Sequence, residues 1–172
     1  MVKVYRCKIC GEGYIGDSVP THCPFCGAHV KSMVLATAWS WPDVNVTDVS
    51  KKNLERALQL EISNSEFYFC AAKKANNEAD RTMFKRLAKI EREHADLISK
   101  HLKIKGSEIS QEKDICSMNN TDNLRESNTR ERNAIGHYAK FLTEAKEERI
   151  KEIFTALIEV ENDHLSLTEG RF

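Results

Sequence analysis

The sequence predicts an all-α protein, a four-helix bundle with one long crossover connection, preceded by a small four-cysteine metal module. Three observations lead to this prediction. Four of the six cysteines fall in the first 26 residues as two Cys-x2-Cys pairs. No proline occurs after Pro42, so long helices can run uninterrupted through the rest of the 172 residues. Residues of matching type also recur in that part of the chain at an interval of 70 positions.

The two cysteine pairs, Cys7-x2-Cys10 and Cys23-x2-Cys26, predict a metal site. Two thiolates two residues apart can hold one ion from a tight turn, and a glycine follows each pair. Two such turns face to face supply four sulfurs in a tetrahedron, which suits zinc or a single iron. A segment this short cannot bury a core of its own, so the metal is expected to hold it together. On these residues alone a structural zinc ribbon and a redox iron site both stay open.

The segment between this module and the helical region has no helical period. It contains Pro42 and two tryptophans, Trp39 and Trp41, which we interpret as anchors for a linker. The predicted organisation is a four-cysteine metal domain at 1–35, a linker at 36–50 and a helical bundle at 51–172.

Composition and charge exclude several classes of protein. Lys and Arg together number 26, as do Asp and Glu, so the cationic surplus of a general nucleic-acid binder is missing. No run of 18 apolar residues predicts a membrane span, and the N-terminus lacks the apolar core of a secretory signal. We therefore expect a cytoplasmic protein, in which cysteines are more often metal ligands than disulfides. Cys70 and Cys116 are accordingly interpreted as ordinary core or surface cysteines.

Helical periodicity predicts four helices, at about 50–75, 80–104, 121–145 and 148–168, with Gly106 as the stop signal of the second. The first and last connections are a few residues long, so those pairs are expected to be antiparallel neighbours. The connection from Ser107 to Asn120 has 14 residues and reaches roughly 46–50 Å when extended, whereas a 24-residue helix is about 36 Å long. It can therefore cross the whole bundle, which is the ferritin-like connection.

The repeat relates the first helical hairpin to the second. Polar and aromatic residues coincide without a gap when the chain is shifted by 70 positions. The coincident pairs include Asn53/Asn123, Glu61/Glu131, Tyr68/Tyr138, Phe84/Phe154, Glu91/Glu161 and His94/His164. We interpret the two hairpins as copies related by a pseudo-twofold axis.

Each predicted helix carries a glutamate in the middle of an otherwise largely apolar stripe. An ionised glutamate in a core is costly unless it is paired or bound to metal. Each of two Glu-x2-His motifs adds an imidazole one turn from a carboxylate. Four carboxylates would balance the charge of two divalent ions. Carboxylate oxygens and imidazoles together suit iron or manganese. The alternative is that these are solvated charges on amphipathic helices. The candidate metal-ligating and catalytic residues are Glu61, Glu91, His94, Glu131, Glu161 and His164.

Tyr68 and Tyr138 are further candidate catalytic residues, because they lie two turns beyond Glu61 and Glu131 on the same stripes. They could donate hydrogen bonds to ligand carboxylates or transfer an electron, although ordinary core tyrosines would occupy the same positions. The other four histidines, His22, His29, His101 and His137, are interpreted as surface or incidental residues. His22 has a possible supporting role, because it precedes Cys23.

These motifs together resemble the rubrerythrin family. The stretch at 5–27 is similar to a rubredoxin domain, and the Glu…Glu-x2-His pattern of both hairpins is similar to the family's ligand pattern. The resemblance implies iron in place of zinc in the four-cysteine site and two iron ions in a ferritin-like bundle. The metal module comes before the bundle here, as in the family variants with reversed domain order.

The function implied by the resemblance is that of a non-haem di-iron peroxidase, an oxidoreductase of oxidative-stress defence. It would reduce hydrogen peroxide to water with electrons passed from the four-cysteine iron to the di-iron site. An external reductase or rubredoxin would supply those electrons. A homodimer, head-to-tail or domain-swapped, is also implied.

One departure from the family pattern bears on this function. Rubrerythrins usually carry an extra glutamate on the third helix, three residues after its first ligand, and Ala134 stands at that position here. The site would then have six protein ligands. This keeps open a dioxygen-using ferroxidase or oxidase, or an iron-handling protein. A non-catalytic protein with structural zinc in the cysteine site is the third reading.

Overall fold

The computed structural model describes residues 1–106 and 108–172, and its N-terminal part is a small antiparallel sheet. The strands are β1 (Lys3–Cys7), β2 (Gly13–Gly16) and β3 (Met33–Leu35), in the order β2-β1-β3. The sequence analysis predicted the cysteine module but no strands within it. Strands of three to five residues are too short for alternation of polar and apolar residues to show above chance.

The two cysteine pairs sit in matching turns at one end of this sheet. The amide of Gly11 donates to the carbonyl of Cys7, and the amide of Gly27 donates to that of Cys23, both at 3.0 Å. Both glycines have positive φ, +83° and +77°, a conformation that side chains disfavour. The glycine after each pair is therefore what closes each turn.

The rest of the chain folds into four long helices, which confirms the predicted ferritin-like bundle. They are α1 (Asp48–Lys74), α2 (Glu78–Leu102), α3 (Asn120–Glu144) and α4 (Glu148–Thr168). Side chains of Thr47, Asn77 and Asn119 cap the first three helices by accepting a hydrogen bond from an amide in the first turn. The second helix ends earlier than predicted. Lys103 adopts the left-handed conformation at its C-cap, so Gly106 is not the stop residue.

The pseudo-twofold repeat is visible in the aromatic core. Tyr68 on α1 stacks against Phe84 on α2 with ring centroids 6.0 Å apart and planes 22° apart. Their repeat partners, Tyr138 on α3 and Phe154 on α4, stack at 5.9 Å and 27°. All four rings are completely buried. The two hairpins therefore pack their interiors in the same way.

The crossover after α2 lies along α1. Lys113 forms an ion pair with buried Glu66 at 2.6 Å, and Lys74 bonds to Asp114 and to a carbonyl beyond it. The connection thus passes the length of the bundle before α3 starts. The predicted stretch includes Ser107, which lies outside the described residues.

Cys70 and Cys116 form a disulfide between α1 and this crossover, so their interpretation as unrelated ordinary cysteines was wrong. They are separated by 46 positions, and neither belongs to a spacing motif. The crossover's return along α1 brings them together, and a sequence pattern does not record that path.

The cysteine module is docked on α2 and α4. Buried Arg149 donates to the carbonyl of Ile9 at 2.8 Å, and the Trp41 ring lies 5.0 Å from that of His101. A methyl group on Gly27 would come within 2.9 Å of Val160, so the turn touches α4 directly. Within the described residues, no helix has the length and apolar character to cross a membrane.

Candidate metal centres

The four cysteines of the module form one compact sulfur cluster. The Sγ atoms of Cys7 and Cys26 are 3.7 Å apart, and those of Cys10 and Cys23 are 3.8 Å apart. Metal–sulfur bonds of 2.3 Å in a tetrahedron separate the sulfurs by about 3.8 Å. All four side chains are buried. Hydrogen bonds from the neighbouring thiols, of which that of Cys10 has the largest effect, lower the pKa of the Cys7 thiol. The donor set thus fits a single tetrahedral ion, zinc or iron.

The bundle holds a second cluster, of carboxylates and imidazoles, at mid-height of the four helices. Its four glutamates are completely shielded from solvent, and both histidines are buried. One Glu comes from each helix, and α2 and α4 add a histidine one turn later. The residues are Glu61, Glu91, His94, Glu131, Glu161 and His164. The structure therefore brings all six predicted residues of the bundle together.

Two overlapping groups within this cluster could each hold one ion. Glu91 and Glu161 belong to both groups. Glu61 and His94 complete the first, and Glu131 and His164 complete the second. In each group the ligating atoms lie within 4.8 Å of one another. Glu91 and Glu161 are therefore placed to bridge two ions, and Glu61 and Glu131 to bind one ion each.

Both imidazoles turn the same nitrogen toward the carboxylates. His94 Nδ1 lies 3.1 Å from Glu91 and 3.4 Å from Glu161. His164 Nδ1 lies 3.0 Å from Glu91 and 2.8 Å from Glu161. The rings are nearly parallel, with centroids 6.3 Å apart. This arrangement leaves each Nε2 pointing away from the cluster.

Unpartnered oxygens show that the protein alone does not complete the cluster. Glu61 Oε2 and Glu131 Oε2 are buried without a hydrogen bond from any described residue. Glu91 Oε1 and Glu161 Oε1 each lie close to an imidazole instead, at 3.0 Å from His164 Nδ1 and 3.4 Å from His94 Nδ1. Unpartnered oxygens among four buried carboxylates carry a large desolvation cost, and cations relieve it. The residues present thus fit two divalent ions, with oxygen and nitrogen donors that suit iron or manganese.

The electrostatics of the protein itself are consistent with this reading. Burial raises the pKa of Glu61 and Glu131 well above the usual range. Burial acts on Glu91 in the same direction, but the charge and hydrogen bond of His164 outweigh it and lower the pKa of Glu91. Burial alone would lower the pKa of His94. The surrounding carboxylates, of which Glu61 has the largest effect, outweigh burial and raise this pKa. Without metal, protonated imidazoles provide the positive charge that the buried carboxylates require.

Tyr68 and Tyr138 cross between the halves of the bundle. The Tyr138 hydroxyl on α3 donates to Glu61 Oε1 on α1 at 2.6 Å. The Tyr68 hydroxyl on α1 donates to Glu131 on α3 and lies 3.0 Å from the hydroxyl of Ser127. Burial raises the pKa of both tyrosines, so they stay protonated donors. Of the readings left open, the geometry matches hydrogen bonding to the terminal carboxylates.

One contact joins the two clusters. His94 Nε2 lies 2.8 Å from the carbonyl oxygen of Cys26, and both groups are buried. A residue of the four-sulfur cluster is thus hydrogen-bonded to a histidine of the carboxylate cluster. Sequence reasoning did not predict this contact, because it depends on how the module docks on α2.

A sequence model of one protein family matches residues 52–169, more than half of the chain, and its description is Rubrerythrin. The chain belongs to the rubrerythrin family. No curated protein and no solved structure matches it. The match covers all six bundle residues, and the preceding four-cysteine cluster is consistent with a rubredoxin-like module. Rubrerythrins are generally oxidoreductases, and the match with the two overlapping groups supports a di-iron protein.

The rubrerythrin position that usually carries an extra glutamate faces the interior. Ala134 is 1% exposed, so its methyl group fills space beside the cluster and offers no ligand. Neither group includes a further carboxylate among the residues that the structure describes. Each metal position therefore has four candidate protein ligands, two of them shared.

Two histidines interpreted as incidental have partners in the structure. His101 is buried on α2, where its Nδ1 lies 3.0 Å from the carbonyl of Leu97 and its Nε2 accepts from Arg149 at 3.2 Å. It follows His94 by seven residues, two turns along the same face, and this spacing was a usable signal of burial. His29 lies 2.8 Å from Asp163 on α4, a contact without a sequence signal.

Proposed function

We propose that this rubrerythrin is a peroxidase that reduces hydrogen peroxide to water with electrons delivered through its four-cysteine centre. The observation that supports this most is the 2.8 Å contact between His94 Nε2 and the Cys26 carbonyl. It gives a short path from the sulfur cluster to a ligand of the buried cluster. An iron-storage or purely structural protein has no need of such a path.

Iron in both centres would supply the electrons for the reaction, in which H2O2, two electrons and two protons give two molecules of water. The residues of the chain fix the positions of the carboxylates and imidazoles and exclude water from them. Glu91 and Glu161 belong to both candidate groups, so they would be the carboxylates shared by two ions. His94 and His164 each direct Nδ1 to one position. The surrounding bundle excludes bulk water from all four carboxylates.

The tyrosines hold protons beside the terminal carboxylates. The Tyr138 hydroxyl donates to Glu61, and the Tyr68 hydroxyl donates to Glu131. These hydrogen bonds orient each carboxylate and give one of its oxygens a donor. Ser127 lies 3.0 Å from the Tyr68 hydroxyl and can pass a proton to it. We propose that this pair of donors supports proton delivery during turnover.

A cavity of about 460 Å³ between the module and α4 approaches the cluster from outside. Its lining includes His164 and Ile90 of the bundle and Pro24 and Gly27 of the module. His164 Nε2 is buried without a hydrogen bond from any described residue. We propose that peroxide reaches the cluster on this side. A larger groove of about 940 Å³, with Gln59 and His137 in its lining, touches none of the six cluster residues.

Ala134 favours a second candidate function, a dioxygen-using ferroxidase or oxidase. With alanine at this buried position, the cluster lacks the additional carboxylate of typical rubrerythrins. A site with fewer ligands leaves more open positions for an oxidant. The His94–Cys26 contact is the reason to prefer the peroxidase, because a ferroxidase takes its electrons from the ferrous ions that it oxidises.

The test is to reduce the iron-loaded protein without oxygen and mix it with one equivalent of hydrogen peroxide in a stopped-flow instrument. The visible absorption of the oxidised iron–thiolate centre should return quickly with peroxide and slowly with dioxygen. Protein with zinc in the four-cysteine site is the matched control and should show no thiolate colour change. Fast recovery with dioxygen and slow recovery with peroxide would reject the peroxidase in favour of the oxidase.

The partners of this reaction are also part of the proposal. An external reductase or rubredoxin would return electrons to the four-cysteine centre, and a head-to-tail or domain-swapped homodimer would form in solution. Light scattering on the iron-loaded protein tests the dimer. A monomer that retains fast peroxide reduction would show that one chain suffices, as the contact between His94 and Cys26 allows.

A further inference from the structure

A third group of metal-ligating side chains lies on the surface, at the cavity that Cys23 and His164 also line. Its members are His22 and His29 of the cysteine module and Asp163 of α4. His29 Nε2 lies 2.8 Å from Asp163 Oδ2, and His22 Nε2 lies 3.5 Å from the same oxygen. The peroxidase proposal gives these three residues no role.

The donor atoms are spaced as ligands of one ion would be. Bonds of 2.0–2.2 Å to nitrogen and oxygen, at angles between 90° and 109°, place neighbouring donors about 2.8–3.6 Å apart. The two distances from Asp163 lie near the ends of that range, and all three donors are within 4.8 Å of one another. A single imidazole would satisfy Asp163 by a hydrogen bond. A hydrogen bond does not require the second imidazole directed at the same oxygen, whereas a metal site does.

The two rings are held in place by the module. An isolated bridge pairs the backbones of His22 and His29, and their rings meet edge to face at 4.8 Å. The Thr21 hydroxyl lies 3.1 Å from His22 Nδ1, so Nε2 is left for an ion. The side chains of His22 and Asp163 are each 51% exposed, which leaves room for water ligands.

Charges near the group permit a cation. Asp163 is the one acidic member of the group, and its Oδ2 faces both imidazoles. Lys31 on the module is paired with Glu159, one turn before Asp163, so its ammonium is already neutralised. Arg86 lines the adjacent cavity but does not belong to the group.

We propose that His22, His29 and Asp163 form a third metal site, which takes one divalent transition metal and ties the cysteine module to α4. Two imidazoles and one carboxylate with open positions suit Fe2+ and Zn2+. The ion would bridge two parts of the chain, because His29 and Asp163 lie 134 residues apart in sequence. This site does not depend on peroxidase activity, since binding can be measured without turnover.

Equilibrium dialysis of the full-length, iron-loaded protein against Co2+ tests the site. We expect one additional cobalt per chain, with the iron of the other two centres unchanged. His22→Gln and Asp163→Asn should each weaken cobalt binding by at least about tenfold. His137→Gln, an exposed histidine on α3, is the matched control and should bind cobalt as the unaltered protein does. Absence of the extra cobalt, or equal binding in all variants, would overturn the proposal.

A second measurement separates a metal site from a hydrogen bond between the domains. The side chain introduced by Asp163→Asn can still accept a hydrogen bond from His29, so this variant should fold normally, with the module docked on α4. Cobalt should then raise the melting temperature of the unaltered protein and leave that of Asp163→Asn unchanged. An equal rise in both proteins would show that the metal acts elsewhere.

Discussion

Glu91 and Glu161 differ from Glu61 and Glu131 in the number of metal positions that each can reach. The shared residues take part in both candidate groups, whereas each terminal residue takes part in one. The repeat equates Glu61 with Glu131 and Glu91 with Glu161, but it does not tell which pair is shared between two positions. The contacts between α2 and α4 side chains within the cluster distinguish the pairs, since Glu91 approaches His164 and Glu161 approaches His94.

This difference predicts unequal effects of two alanine substitutions. Glu91→Ala should empty both positions of the bundle, because each loses a ligand. Glu61→Ala should empty one position and leave the one formed with Glu131 and His164. Metal per chain can be measured by mass spectrometry, with the metal of the four-cysteine site as the internal reference. Equal losses in the two variants would contradict the assignment of shared and terminal ligands.

At the scale of a helix, His101 links the end of α2 to α4. Desolvation lowers the pKa of His101 to about 4 from the 6.5 of an exposed histidine, and Arg149 donates to its Nε2. Between these two pH values the unfolded chain binds a proton that the folded protein does not. The free energy of unfolding should therefore fall as the pH drops from about 6.5 to about 4 and then level off.

His101→Gln should remove this dependence, because glutamine accepts from Arg149 and does not titrate. Between pH 7 and pH 5 the native protein should lose about 2 kcal/mol more stability than the variant. Urea unfolding of the metal-loaded proteins at both pH values measures the difference. His137→Gln should behave like the native protein. If His101→Gln did too, His101 would titrate normally in the folded state.

The elements themselves could largely be predicted from the sequence, and the contacts between them could not. Periodicity and the lack of proline placed the ends of the four helices to within two residues, and the repeat identified Glu61 and its partners as interior. Their burial follows from an apolar stripe that is local to each helix. The three short strands and the docking of Cys26 on His94 depend on contacts between distant segments. No local pattern encodes those contacts.

At the scale of the whole molecule, the disulfide between Cys70 and Cys116 fastens the crossover to α1. It closes a loop with a sequence separation of 46. The loss of chain entropy in the unfolded state for such a loop corresponds to about 4 kcal/mol of stabilisation. The crossover also contributes the Lys113–Glu66 ion pair, which lies between its two ends.

Replacing both cysteines, Cys70→Ser with Cys116→Ser, should therefore lower the free energy of unfolding by up to about 4 kcal/mol. Denaturant titration of the oxidised protein and of the variant measures the loss. The metal content of the four-cysteine cluster is the control and should not change, because neither residue belongs to it. Equal stability of the two proteins would mean that the loop is already ordered in the unfolded state.

The module makes the two halves of a duplicated bundle unequal. Glu61, Tyr68 and His94 have counterparts in Glu131, Tyr138 and His164, and a hairpin paired with its own copy would hold two identical ions. Docking of the module ends that equivalence, since His94 Nε2 meets the Cys26 carbonyl whereas His164 Nε2 borders a cavity. One half of the repeat thus faces the four-cysteine cluster, and the other faces a cavity. The repeat supplies two alike half-sites, and a single docked domain gives them different neighbours.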